Sequence, residues 1–236
     1  ATTVIYTLSL HDALPIFLIT GATGMGKSTT LAAMIDEINH NRFAHIICIE
    51  DPIEFVHSND RSVIEQREVG ADTNGFHIAL RHALRQSPDV IMVGEMRDLE
   101  TMAAAVTAAE TGHLVLATLH TRDTAKSVAR IIDSFPSAQQ NQVREQLAMS
   151  LLGVMSQRLF KKASSEGRMV ATELLLNNPA VANHIRESRE HMLQGVIETS
   201  SKYGMYTFES NLRELVFSGR VYREEAEAFL GRRLTV

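Results

Sequence analysis

Residues 21–28 read GATGMGKS, which matches the pattern of a glycine, four variable residues, and then glycine, lysine and serine or threonine. The run 16–20 before it is apolar, and apolar residues recur at spacings of three and four over 31–38. A glycine loop between a strand and a helix presents backbone N–H groups at the positive end of the helix dipole, where phosphate groups bind. A plain glycine-rich turn is the alternative, but it does not account for Lys-Ser-Thr-Thr at the helix start. The pattern therefore predicts a phosphate-binding loop, and residues 21–28 are called the phosphate loop below.

In this pattern the lysine contacts the outer phosphates and the hydroxyl binds Mg²⁺. Lys27 and Ser28 are the residues in those two positions. Backbone amides supply the other contacts. The candidate nucleotide-binding residues are Gly21, Thr23, Gly24, Met25, Gly26, Lys27, Ser28 and Thr29.

The composition limits the class of protein. A chain of 236 residues forms one large domain, or one domain with a small appendage. The formal net charge of -5 gives nucleic-acid binding no support. The only cysteine, Cys48, lies in an apolar run, so an internal disulfide framework and a four-cysteine zinc site are excluded. No apolar run approaches the roughly 20 residues that span a bilayer, so no direct membrane insertion is expected.

The beginning of the chain carries a different signal. Residues 6–16 read YTLSLHDALPI, which resembles the in-frame translation of a common short-read sequencing adapter at every position. A genuine strand and turn with a bend at Pro15 is the alternative. We expect residues 1–16 to be a sequencing artefact and the natural protein to resume near Phe17.

Strand-like and helix-like segments alternate along the chain, which predicts an α/β fold with a mostly parallel sheet flanked by helices. The predicted strands are 16–20, 44–49, 89–94, 113–118 and 168–176. The predicted helices are 27–40, 75–86, 99–111, 122–134 and 138–159. The polar segment 58–72 is interpreted as a surface excursion with short strands. The polar loop 161–167 predicts a boundary between a core domain over 17–165 and a small, mainly helical C-terminal subdomain over 166–236.

An acidic residue, Glu95, follows the predicted strand 89–94. In P-loop ATPases an acid in this position holds Mg²⁺ or polarises the attacking water, so Ser28 and Glu95 are the candidate metal ligands and ATP is the expected nucleotide. Arginines stabilise the charge that develops in phosphoryl transfer, and Arg97 is the catalytic candidate, although surface arginines are common. The additional strand 44–49, between the phosphate loop and Glu95 in sequence, suits the RecA-like branch of these proteins.

Two further candidates follow other predicted strands. Glu54 belongs to the acidic group after strand 44–49, and His120 follows strand 113–118. A solvated acidic turn and a structural histidine are the alternatives. Because ligands bind at the carboxyl ends of parallel strands, we expect both side chains to face the phosphate site, with an acid as general base and His120 as a γ-phosphate contact.

Four blocks stand in order along the chain: GATGMGKSTT at 21–30, ICIEDPIEF at 47–55, IMVGEMRD at 91–98 and GHLVLATLHT at 112–121. Together they resemble the Walker A, Asp box, Walker B and His box of the type IV pilus retraction ATPases, the PilT/PilU family of the secretion ATPase superfamily. The resemblance covers about 17–219. It implies a RecA-like P-loop core, and it matches Glu54, Glu95 and His120 to the glutamates of the Asp box and Walker B and to the histidine of the His box.

The resemblance also implies a place in the cell. Such enzymes form homo-hexameric rings in the cytoplasm, at the inner face of the bacterial inner membrane, and couple ATP hydrolysis to pilus disassembly through a platform protein. A paralogous pilus ATPase is a further expected partner. Family members also carry an N-terminal PAS-like domain, which is not expected within these 236 residues. The lack of a tetracysteine motif argues against the pilus-extension and type II secretion branches.

Two other readings stay open at this point. The chain could be an accessory or regulatory ATP-binding module of the PilU kind, which binds ATP and depends on a partner ring. It could also be a RecA-like DNA-handling or DNA-uptake ATPase, a reading that the acidic balance of the chain disfavours.

Overall fold

A seven-stranded sheet forms the centre of the computed structural model, which describes residues 16–234. Its strands are β1 (Ile16–Thr20), β2 (His45–Glu50), β3 (Val63–Glu68), β4 (Val90–Val93), β5 (Leu114–Leu119), β6 (Leu151–Lys161) and β7 (Arg168–Leu176). They lie in the order β3-β2-β4-β5-β1-β6-β7, and every neighbouring pair is parallel except β6 with β7. The prediction of an α/β fold with a mostly parallel sheet is confirmed. Residues 1–15 of the adapter-like segment lie outside the described residues.

Helices connect the strands and form most of the C-terminal part. They are α1 (Lys27–Asn41), α2 (Phe76–Ala83), α3 (Leu99–Glu110), α4 (Thr124–Asp133), α5 (Ser137–Ser150), α6 (Pro179–Arg186), α7 (Leu193–Thr199), α8 (Phe208–Phe217) and α9 (Arg223–Leu230). Short 3₁₀ turns cover Glu190–Met192 and Ser201–Tyr203. Several helices begin at a capping side chain: the carboxylates of Asp98 and Asp123 accept backbone N–H groups of α3 and α4.

The sheet is buried on both faces, which is why its strands read as continuous apolar runs. In β1, Ile16 and Leu18 pack with α2 to α7 on one face, and Phe17 and Ile19 pack with α1 on the other. Within residues 16–234, none of the helices has both the length and the apolar character that a membrane span needs.

The helix predicted over 138–159 is wrong in its second half. The helix α5 ends at Ser150, and β6 begins at Leu151 and lies between β1 and β7. Apolar residues over 151–160 recur at helical spacings and do not alternate, so the local pattern favours a helix. The tertiary structure decides, because β6 completes the hydrogen bonding of β1 on its open side.

Two polar segments also take part in the sheet or its connections. The excursion 58–72 contains β3, which pairs with β2 at the edge of the sheet. The loop 161–167 joins β6 to β7. A small separate core lies under α8 and α9, formed by Phe160, Ala171, Phe208, Leu212, Leu215, Val221, Ala226 and Leu234. The division into domains over 17–165 and 166–236 stays a prediction.

The close packing of β6 against its neighbours can be tested at Gly153. A Cβ atom added here would lie 2.6 Å from the carbonyl oxygen of Leu175 and 3.1 Å from the ring of Phe17. We expect Gly153→Ala to destabilise the chain by about 1–3 kcal/mol, because a buried backbone contact cannot move aside. Gly195→Ala in α7 is the matched control, since an added Cβ there meets no atom within 4 Å. It should be neutral or stabilising by up to about 1 kcal/mol. Urea unfolding of both variants measures the difference, and equal effects would contradict the packing described.

Candidate active site

A cleft of about 510 Å³ lies where β1, β2, β4 and β5 end. It brings together side chains that are far apart in sequence, among them Thr23, Lys27, Ser28, Glu54, Glu95 and His120. In the sheet, β5 separates β1 from β4, and β2 lies beyond β4. The sequence prediction that these loops meet at one edge therefore agrees with the geometry.

The phosphate loop depends on glycine at two positions. Gly26 has φ of 81° and precedes the first residue of α1, a left-handed conformation that costs glycine little. Gly21 has φ of 148°, and a Cβ there would lie 2.5 Å from the carbonyl oxygen of Gln157. The first turn of α1 contains no acidic residue, and no side chain caps it. The helix N-terminus is thus open to an anion.

Lys27 lies across the inside of the phosphate loop. Its Nζ donates to the carbonyl oxygens of Gly21 at 3.0 Å and Ala22 at 3.2 Å, and lies 3.4 Å from Nδ1 of His120. Burial lowers the pKa of Lys27, while the carboxylates of Glu95 and Glu54 act in the opposite direction. The two predicted catalytic acids therefore favour the charged form of the amine, which burial disfavours.

Glu95 is held by two cationic or donor groups at one oxygen. Nε2 of His120 and Nε of Arg97 each lie 2.6 Å from Oε1 of Glu95. If Nε2 of His120 carries the proton and donates to Glu95, then Nδ1 is free to accept from Lys27 and Thr23, both at 3.4 Å. One tautomer satisfies all these contacts. The Arg97 side chain is 73% exposed, so it contacts Glu95 from the solvent side.

Glu54 is positioned by the edge strand. Its Oε1 accepts from the Ser28 hydroxyl at 3.0 Å. The backbone on either side of it is tied down, because the N–H of Ile53 donates to Glu68 at 3.0 Å and Gln66 donates to the carbonyl of Phe55 at 2.7 Å. Both of these partners belong to β3. The segment interpreted from sequence as a surface excursion therefore places a predicted catalytic acid.

Two buried polar residues of this region were not selected as site residues from the sequence. Glu50 ends β2 with 7% of the residue exposed, and its carboxylate accepts from Nε2 of Gln66 at 3.0 Å. Gln157 of β6 contacts the phosphate loop, but the sequence placed it in a helix. Glu50 had a signal, since it stands beside Asp51 in the acidic group, whereas Gln157 had none.

The predicted loop ligands divide into two groups. Thr23, Gly24, Gly26, Lys27, Ser28 and Thr29 line the cleft. Met25 faces β6 instead, where its Sδ accepts the N–H of Leu159 at 3.4 Å. The nucleotide contacts assigned to Gly21 and Met25 stay predictions.

The side chains at this cleft suit Mg²⁺ better than a metal ion that takes all of its ligands from the protein. Within residues 16–234 no group of three or more histidine, cysteine, aspartate or glutamate side chains is placed to hold a metal ion. Mg²⁺ prefers oxygen ligands and usually takes one or two from protein, with phosphates and waters completing the shell. The Ser28 hydroxyl and the carboxylates of Glu54 and Glu95 place oxygen atoms of this kind at the cleft, and the assignment of Ser28 and Glu95 as metal ligands stays a prediction.

A family model described as Type II/IV secretion system protein matches residues 3–227. The chain belongs to this family. Among its relatives, the type IV pilus retraction ATPase PilT of Pseudomonas aeruginosa is 51% identical over 209 residues, which are 89% of this chain and 60% of PilT. The type IV pilus ATPase PilU of the same organism is 46% identical over 208 residues, or 88% of this chain and 54% of PilU. The chain thus spans between half and two thirds of these relatives.

A crystal structure of the pilus retraction motor PilT with bound ADP is similar to this member of the secretion family, with a TM-score of 0.88 and 46% identity. The superposition covers 97% of this chain and 64% of that one. The resemblance to the PilT/PilU family that the four sequence blocks predict is confirmed.

The environment of Glu50 predicts a pH-dependent stability. Burial raises the pKa of Glu50 above its ordinary value of 4.5, against the opposing effect of the hydrogen bond from Gln66. The folded chain then keeps this proton to higher pH than the unfolded chain, so stability is lost as pH rises above 4.5. The Glu50→Gln variant has no carboxyl to titrate here, so it does not lose this stability. The difference in stability between the variant and the wild type should therefore increase as pH rises from about 4.5 to about 7.5.

Glu65→Gln on β3 is the control with the opposite sign. A hydrogen bond from Arg67 lowers the pKa of Glu65, so this carboxylate contributes stability above its ordinary pKa that is lost on acidification. The variant should therefore lose stability relative to the wild type as pH rises toward 4.5 from below, and should change little above it. Urea unfolding below, at and above pH 4.5 measures both effects, and parallel trends in the two variants would contradict the assignment.

Proposed function

We propose that this chain is the ATPase part of a type IV pilus retraction motor, which hydrolyses ATP to drive twitching motility. The observation that carries the proposal is the single cleft that holds Lys27, the Ser28–Glu54 pair and the Glu95–His120 pair, in a chain 51% identical to PilT. The ADP in the similar PilT structure supports the choice of nucleotide.

In this proposal the phosphate loop binds the β- and γ-phosphates of ATP through its backbone N–H groups and the N-terminus of α1. Lys27 exchanges its hydrogen bonds to Gly21 and Ala22 for bonds to the outer phosphates. These carbonyls stay close by, so the ammonium changes partners with a small movement. Mg²⁺, when bound, neutralises charge on the phosphates, with the Ser28 hydroxyl and Glu95 as its predicted ligands.

Hydrolysis requires a water oxygen to attack the γ-phosphorus while the bond to ADP breaks. Glu95 is the proposed base or orienting group for that water, and it accepts the water proton. Nε2 of His120 lies 2.6 Å from Glu95, and its other ring nitrogen faces Lys27. His120 thus holds the proposed base in place relative to the lysine that contacts the γ-phosphate. Glu54, bound to Ser28, is the second acid near the same position. Arg97 is proposed to stabilise transition-state charge after leaving Glu95.

The proposed assembly is a homo-hexameric ring with the nucleotide cleft between subunits. ATP binding closes the cleft, and hydrolysis and product release reopen it. The ring acts in the cytoplasm on the inner face of the inner membrane, where a pilus platform protein receives the motion. These assignments are supported by the similarity to PilT, of which this chain spans 60%.

An accessory role of the PilU kind is the second candidate. The 46% identity to PilU supports this alternative. A PilU-like module would bind nucleotide as well as a motor does, but would depend on a partner ring for turnover. Binding and hydrolysis must therefore be measured separately.

Two variants of the cleft separate these activities. Lys27→Ala should weaken binding of the fluorescent nucleotide mant-ADP about tenfold or more, since it removes a charge-assisted contact to phosphate. Glu95→Gln should keep binding within about threefold and lower steady-state phosphate release about 100-fold, the scale of general base catalysis. Glu166→Gln in the exposed β6–β7 loop makes the same change away from the cleft and should alter neither quantity. A Glu95→Gln rate equal to the wild type would refute the motor proposal.

Intersubunit catalysis predicts a concentration dependence. If the cleft is completed by a neighbouring subunit, phosphate release per chain should fall as the purified protein is diluted below the concentration at which the ring forms. Sedimentation or light scattering at the same concentrations should show dissociation over the same range. A rate per chain that stays constant through dissociation would exclude catalysis across subunits.

A further inference from the structure

Strand β6 holds the phosphate loop from the side through one buried amide. Gln157 has 3% of its surface exposed. Its Nε2 donates to the carbonyl oxygen of Met25 at 2.6 Å, and its Oε1 accepts from the hydroxyl of Thr30 at 2.9 Å. The same hydroxyl lies 3.2 Å from the carbonyl oxygen of Gly26. A single side chain thus connects the end of the loop with the first turn of α1.

The backbone of β6 follows the same part of the loop closely. The carbonyl oxygen of Gln157 occupies the space beside Gly21 where a side chain would begin. Two residues on, the N–H of Leu159 donates to the sulfur of Met25 at 3.4 Å. Because a buried amide left without partners is costly, any other arrangement of the loop must break bonds that Gln157 now satisfies.

The bond to Met25 also fixes the direction of a neighbouring donor. A trans peptide bond is planar, so the carbonyl of one residue and the N–H of the next point in opposite directions. The carbonyl of Met25 points at β6, so the N–H of Gly26 points away from β6. Amides that point into such a loop are the groups that bind phosphate oxygens.

We propose that Gln157 is a positioning residue for nucleotide binding, which orients the Met25–Gly26 peptide so that its N–H meets a phosphate oxygen. The proposal rests on the proposed nucleotide-binding function and adds a residue outside the four sequence blocks. Gln157 acts through the loop, since its side-chain hydrogen bonds go to Met25 and Thr30.

Gln157→Glu tests the orientation with a change of pH. The ionised carboxylate still accepts from Thr30, but its second oxygen faces the carbonyl oxygen of Met25, and neither atom can donate. Binding of mant-ADP near pH 8 should therefore weaken about tenfold or more. Burial raises the pKa of such a carboxyl. Its protonated form can donate to Met25 as the amide does, so the ratio of variant to wild-type Kd should fall toward one as pH is lowered to about 5.5.

Gln140→Glu is the matched control. Gln140 likewise donates from Nε2 to a backbone carbonyl, that of Phe135 at 3.0 Å, at the start of α5. Its Kd ratio should stay near one at every pH. Gln157→Met, which cannot regain a donor, should bind weakly at every pH. Circular dichroism under each binding condition gives the folded fraction, by which each Kd is corrected.

The outcomes distinguish a failure of the proposed nucleotide binding from a failure of the proposed role of Gln157. If the wild type does not bind mant-ADP, the proposed function fails. If the wild type binds and Gln157→Met binds equally well, the positioning role of Gln157 is wrong. If Gln157→Glu binds weakly without recovery at low pH, the donor to Met25 is not what positions the loop, and the orientation argument fails. Recovery confined to Gln157→Glu supports it.

Discussion

The parallel pairing of β1 with its two neighbours is the constraint on which the rest of the structure depends. Pairing with β5 places His120 beside the phosphate loop, and pairing with β6 places Gln157 on the opposite side of it. Since β4 pairs in turn with β5, Glu95 comes to the same edge. Hydrogen bonds between strands thus assemble a site from segments that span more than 130 residues of the chain.

Charge is distributed in this site so that Lys27, Glu54, Glu95 and His120 each have a partner. Lys27 is largely buried, which disfavours its charged form and lowers its pKa, and the carboxylates of Glu95 and Glu54 offset part of that effect. His120 lies between Glu95 and Lys27 and can bond to both. A bound triphosphate would compete with His120 for Lys27, and the lost contact would change how His120 binds Glu95. Phosphate binding and the position of the proposed base are therefore coupled through this network.

Strand β6 also connects the phosphate loop to the C-terminal helices. Gln157 contacts the loop, and the next residue, Arg158, places its guanidinium 4.5 Å from the ring centre of Phe229 in α9. Phe229 packs edge to face on Phe160 and Phe208. Neighbouring residues of one strand thus contact both parts of the chain, so a shift of β6 would change the loop and the C-terminal core together.

The sequence by itself determined the phosphate loop, the flanking strand and helix, the α/β class and the residues Glu54, Glu95 and His120. These features depend on local patterns: glycine where φ is positive, apolar runs where strands are buried on both faces, and acids where strands end. Only the tertiary structure decided that 151–161 is a strand, that β3 positions Glu54, and that Gln157 holds the loop. Those features depend on hydrogen bonds between distant segments. The apolar residues of β6 recur at helical spacings, so local spacing alone does not identify this strand.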